Sequence, residues 1–137
     1  MESKSEPAVQ DEVVFFCDWN MGRRHVPDAL RNAGFRVETL HEYFESVESD
    51  DKWLVEAGRE QWVVLTKDEQ IGRKSNEIEA LRNAKVAAFV LAAKDLRGEE
   101  MAATMLAALP RVLKFLFETP RPFIAKIYRD GSVVPWR

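Results

Sequence analysis

The sequence predicts an α/β domain of three layers, in which a central, mainly parallel sheet of about five strands lies between helices. Three observations lead there. Val13–Asp18 (VVFFCD) and Trp62–Asp68 (WVVLTKD) are short apolar runs, β-branched and aromatic, that each reach an aspartate. A run apolar on both faces suits a parallel strand covered from both sides. Similar runs alternate with stretches of helical periodicity, which implies right-handed crossovers. Finally, 46% of the 137 residues are hydrophobic, including 8 Phe and 4 Trp, enough for a core without disulfides or structural zinc.

The elements follow in order. Residues 1–11 are polar and acidic, and read as a tail before a domain over 12–137 rather than as a signal peptide. A first strand covers about 13–18. Trp19-Asn-Met-Gly22 is a loop pivoting on Gly22, and Arg23-Arg-His25 is a basic patch beyond it. Pro27 marks a helix opening, where its missing N–H costs nothing, and Gly34 ends that helix. Phe35–Leu40 alternates as a half-buried second strand. His41–Ser49 is ambiguous between a short helix around Tyr43-Phe44 and a loop. Ser49 or Asp50 caps a helix to about Arg59, with Trp53, Leu54 and Ala57 inward. Strand three is 62–66, a helix covers about 76–84, and strand four is Val86–Ala93. The longest helix, about 98–118, is apolar at Met101, Met105, Leu109, Val112 and Leu116, and Pro110 should kink or split it. After Pro120-Arg-Pro122 come a last strand, Phe123–Tyr128, and a turn at Asp130-Gly131.

Charge and cysteine usage narrow the function classes. A net charge of −3 argues against a DNA binder with a broad basic face, yet suits a nuclease whose acidic cluster offsets local arginines. The single Cys17 lies inside the first strand, a buried core residue with no partner for a bridge or metal site. That usage fits a reducing cytoplasm. No window approaches the roughly 18 apolar residues of a membrane span, so no membrane association is expected.

In open α/β sheets, ligands bind beyond the carboxyl ends of the strands. Asp18 and Asp68 would meet there if their strands are neighbours. Close carboxylates repel unless a cation lies between them, and Mg²⁺ or Mn²⁺ prefers carboxylate oxygen and water. A phosphodiesterase of this kind needs further acids from separate elements. Asp50, or its neighbour Asp51, can supply a third from a helix start, although a carboxylate there is also an ordinary N-cap. Glu42 or Glu45 can supply a fourth, and Asp95 follows strand four, where it can equally cap the long helix. Thr66 is placed to hold a carboxylate or a water.

Phe16-Cys-Asp18, Val26-Pro-Asp-Ala-Leu30, Ala33-Gly-Phe-Arg-Val37, Ser49-Asp-Asp-Lys-Trp-Leu54 and Trp62–Asp68 occur in an order that resembles PIN-like domains. The layout is especially similar to the shortened PIN-like toxins of the VapC type, over about residues 13–93. The resemblance implies a ribonuclease with Mg²⁺ or Mn²⁺ held by acids at Asp18, Asp50 and Asp68. It also implies an antitoxin protein partner whose basic side chain enters the metal site. The family's intervening glutamate has no clean match; Glu42 is the choice, with Glu45 open. Where the family often has an acid two residues after Asp68, Gln70 stands, which puts a second metal and full activity in question.

Around these acids, Arg23, Arg24, Lys67 and Arg73 are candidate contacts to RNA phosphates, with His25 and Lys74 nearby. His25 is a candidate base that metal-activated water does not require. Trp19, in a loop, is the better candidate for stacking on bases, whereas Trp53 belongs to the core. Two other classes stay open. A receiver-like phospho-accepting domain wants adjacent acids after strand one and a strand-end lysine; here Trp19-Asn20 follows Asp18 and Lys126 lies inside its strand. A catalytically silent protein-binding module is kept open by Gln70. Met101, Met105, Phe115 and Phe117 offer a homodimer face, or simply core.

Overall fold

Val14–Cys17 forms β1, and both strands that flank it follow it in the chain. On one side lies β2 (Arg36–Thr39); on the other lie β3 (Val63–Thr66), β4 (Ala87–Leu91), β5 (Phe123–Ile127) and β6 (Val133–Pro135), giving the order β2-β1-β3-β4-β5-β6. All pairings are parallel except β5 with β6. The helices are α1 (His25–Asn32), α2 (Asp50–Arg59), α3 (Ser75–Ala84) and α4 (Gly98–Glu118), with 3₁₀ turns at Trp19–Met21 and Glu69–Gly72. This computed structural model describes residues 13–40, 50–93 and 95–137, without the side chains of 50–52.

Alternation along the strands sorts side chains into two cores. Phe15 and Cys17 face α1 and α4, among Val26, Leu30, Met105 and Val112. Phe16 faces α2 and α3, among Trp53, Leu54, Ala57 and Leu81, and stacks on Trp62 at 4.9 Å between ring centroids. Burying each such aromatic side chain is worth about 1.5–3 kcal/mol. The expected three-layer α/β domain with a mainly parallel sheet is therefore present. Where α2 and α3 cross, a Cβ on Gly58 would fall 2.1 Å from the Ala84 carbonyl oxygen, so the helices approach backbone to backbone.

Several details differ from the sequence expectations. A sixth strand, β6, follows the Asp130-Gly131 turn, where Asp130 Oδ1 accepts from the Ser132 N–H at 2.9 Å. α4 is not split: it runs from Gly98 to Glu118 with Pro110 inside it. The proline is exposed, and the carbonyl that loses its helical N–H partner belongs to Leu106, itself 42% exposed. Met101 and Met105 are core residues and Phe115 packs on Phe89 and Phe123; of the four proposed for a dimer face, Phe117 stays exposed. Among the described residues no helix is long and apolar enough to cross a membrane. The segment 41–49, including Glu42 and Glu45, and the tail through residue 12 lie outside the described residues.

Cys17 is fully buried, and desolvation first, with neighbouring Asp18 adding to it against the opposing pull of Arg31, pushes its thiol from 9.0 up to about 12. The unfolded chain then releases this proton near its ordinary pKa while the folded chain keeps it, so stability falls as pH rises above that point. Urea unfolding should show Cys17→Ala losing about 1 kcal/mol per pH unit less than the wild type above about pH 9. Equal slopes for the two proteins would contradict this.

Candidate functional site

From β1 the chain goes outward to β2 and then returns past β1 to form β3, so the connections leaving β1 and β3 diverge. Such a reversal opens a crevice beyond the carboxyl ends of the two strands. Cys17 pairs with Leu65, which brings the next residues, Asp18 and Thr66, side by side on the face covered by α2. The Asp18 N–H extends the ladder by donating to the Leu65 carbonyl at 3.0 Å.

Asp18 is 8% exposed, and a carboxylate so buried requires hydrogen bonds. Oδ1 accepts from the Trp19 N–H at 2.7 Å, capping the first 3₁₀ turn, and Oδ2 accepts from Thr66 Oγ1 at 2.8 Å. The same threonine oxygen accepts the Asp68 N–H at 3.0 Å. Asn20 adds a second tie: its Oδ1 accepts the Lys67 N–H at 2.9 Å, and its amide nitrogen lies 3.3 Å from Thr66 Oγ1. Asp68 Oδ1 accepts the Gln70 N–H at 2.9 Å, which fixes the half-exposed carboxyl to the second 3₁₀ turn. Beside it opens a cleft of about 290 Å³ lined by Lys67, Asp68, Glu69, Gln70, Arg73 and the apolar Leu91 and Ala93.

The third expected acid can be located by its backbone. α2 begins at Asp50 and ends against the start of β3, where the Trp62 N–H donates to the Ala57 carbonyl at 2.9 Å. It therefore runs antiparallel to the strands, and its first residues stand at the crevice edge of the sheet. The side chains of Asp50 and Asp51 lie outside the described residues, as does Glu42. Among the described residues no three Asp, Glu, His or Cys side chains gather as a metal set. The donors that do meet at the crevice are oxygens, from Asp18, Asp68, Thr66 and Asn20, while the Cys17 thiol is turned into the core. That chemistry fits Mg²⁺ or Mn²⁺ and not a thiolate-loving ion.

The remaining candidates divide. Arg23 and Arg24 are exposed between Gly22 and α1, and Lys67 lines the cleft. Arg73 is paired with Glu69 at 2.9 Å, so its charge is partly spent within the protein. Lys74 approaches Glu77 at 3.5 Å. The His25 ring lies against Gly98 at the start of α4. Trp19 is not a loop residue held out for stacking but is half-buried against the Phe16 core, and Trp53 is 1% exposed within it. Asp95 is exposed and does not cap α4; Arg97 holds that position, its N–H donating to Glu100 Oε1 at 2.8 Å. Lys126 sits mid-strand in β5, 3.8 Å from Glu69 Oε1, away from the strand-end position that a receiver domain needs. Sequence reasoning missed Asn20 as a structural tie. The signal was present, since an amide two residues after a strand-ending acid can bridge to a neighbouring strand end.

A doubly wound α/β domain with aspartates joined at its switch point is thus defined by fold and site together. The family model described as PIN like domain matches residues 13–93, more than half of the 137 residues. The chain belongs to that family. It is similar to a protein of Mycobacterium tuberculosis named as a proposed ribonuclease, VapC45: 31% identical over 125 residues, covering 86% of this chain and 88% of the relative. No solved structure matches.

Thr66→Val should cost about 1–3 kcal/mol in chemical denaturation, because it leaves a buried carboxylate oxygen and an N–H without their shared partner. Asn20→Ala should cost less, about 1 kcal/mol. An unchanged midpoint for Thr66→Val would show that the hydroxyl does not hold the strand ends together.

Proposed function

We propose that this protein is a divalent-cation-dependent endoribonuclease, the toxin of a toxin–antitoxin pair, acting in the cytoplasm. The observation that carries the proposal is the Thr66 hydroxyl that binds the Asp18 carboxylate and the Asp68 N–H at the β1–β3 switch point. Family membership and the ribonuclease name of the Mycobacterium relative support it.

In this proposal Asp18 and Asp68 hold the cation, Asp50 (or Asp51) joins from the start of α2, and Glu42 completes the set. A divalent cation held there supplies Lewis-acid polarisation of a phosphoryl oxygen and an acidified water. The chain's own groups do the rest. Thr66 and the Trp19 N–H aim the Asp18 carboxyl, each donating to one of its oxygens. Lys67, with Arg23 and Arg24, holds phosphates flanking the scissile bond; Arg73 contributes where RNA phosphate displaces Glu69. Leu91 and Ala93 give the cleft a dry wall against a base or ribose. Gln70 offers no charge for a second cation, and neighbouring Glu69 is taken by Arg73 and Lys126. The antitoxin would cover this acidic rim, a basic side chain meeting Asp18 and Asp68.

Purified protein incubated with a mixed RNA pool should cut in Mg²⁺ or Mn²⁺ and not in EDTA. Asp68→Asn and Asp18→Asn should each lower the rate at least about 100-fold, the scale of losing a charge-stabilising group. Folded, partner-free protein that cuts no RNA under any metal would instead favour a silent PIN-like protein-binding module.

A further inference from the structure

The turn that carries Asp68 is held from a distant part of the chain. Gly72 ends that turn, and a Cβ there would fall 2.5 Å from the indole of Trp136, just beyond β6. The Gly72 carbonyl accepts from Arg137 Nε at 2.9 Å. At the other end of the turn, Glu69 Oε1 lies 2.9 Å from Arg73 Nη2 and 3.8 Å from Lys126 Nζ of β5. Lys126 Nζ also stands 4.0 Å from the centre of the Trp136 ring, an attractive cation–π geometry. The residue that carries the ring is anchored through its backbone, since the Trp136 main-chain N–H donates to the Ile124 carbonyl at 2.8 Å. One ring thus packs on the turn and on a cation that pairs with the turn, and its own backbone is hydrogen-bonded to the strand that carries that cation.

We propose that Lys126, Trp136 and Arg137 are positioning residues for Asp68: they fix the Glu69–Gly72 turn, and through the Gln70 N–H they fix the carboxylate at the crevice. The catalytic consequence rests on the nuclease reading of the same site. All three residues lie outside the segment 13–93 that matches the family model. A half-exposed carboxyl capping a short turn has little else to restrain it, because a 3₁₀ turn has few internal hydrogen bonds of good geometry. The β5–β6 hairpin supplies that restraint. Trp136 does not serve as a platform for RNA bases here, since Gly72 and Lys126 already occupy its surface.

Amide hydrogen exchange at Gln70 tests this on the full chain, read beside RNA cleavage in Mn²⁺. Trp136→Leu should speed Gln70 exchange by about tenfold or more while the Val64 and Ala88 amides in the sheet keep their protection. Trp136→Phe, which keeps a ring over Gly72, should stay near wild type. Cleavage by Trp136→Leu should lose kcat with KM for RNA unchanged. Unchanged Gln70 exchange would overturn the proposal, and so would a rise in KM alone, which would make Trp136 an RNA contact. If the sheet amides of Trp136→Leu also lose protection, Lys126→Met decides by the same exchange, since it removes just the contacts to Glu69 and the ring. Should the wild type cut no RNA, the nuclease reading fails by that result, while Gln70 exchange still decides whether the hairpin holds Asp68.

Discussion

A buried threonine hydroxyl sets the geometry of this protein's crevice, because it can donate in one direction and accept in another at once. Thr66 Oγ1 gives its proton to Asp18 and takes the Asp68 N–H, which ties two strand ends that are far apart in sequence. Pairing of β1 with β3 makes this meeting obligatory. With Cys17 opposite Leu65, the next residues on each strand share a face. A register slip of one residue would turn Thr66 to the other face and leave the Asp18 carboxylate buried without its partner. The hydrophobic pattern resists such a slip, since it would also drive Val64 from the α2–α3 core into the α1–α4 core. Packing therefore fixes the register, and the register presents the acids.

Negative charge accumulates at one edge of the sheet for the same reason. Asp18 and Asp68 close their strands, and the topology returns α2 with its acidic first residues to that edge. Close carboxylates repel, and in the proposed reading a hard cation offsets that repulsion. The basic groups lie around this edge rather than within it, with Lys67 along the cleft and Arg23 and Arg24 beyond the first turn. That distribution is compatible with the polyanionic substrate proposed above despite a net charge of −3.

Much of this could be read from residues, because the informative signals are local. Apolar runs ending on Asp18 and Asp68 mark strand ends directly, and Trp53, Leu54 and Ala57 at helical spacing mark a buried face. Contacts between distant segments leave no such trace. Nothing near Gly72 announces Trp136, and Glu69 gives no hint of Lys126, since both depend on how a hairpin folds back over a turn. β6 was missed because its three residues are half-buried or exposed and end in Pro135, as edge strands do. Pro110 leaves α4 unsplit for a different reason: its cost depends on whether water can reach the freed carbonyl, and local sequence does not encode exposure.

Whether the crevice takes a divalent cation is the claim from which the rest follows. Titrating isotopically labelled protein with substoichiometric Mn²⁺ would test it, with amide NMR signals as the readout. Paramagnetic broadening centred on Asp18, Asn20, Lys67 and Asp68, and abolished in Asp68→Asn, is the result expected here. Broadening centred elsewhere, or none in folded protein, would contradict it.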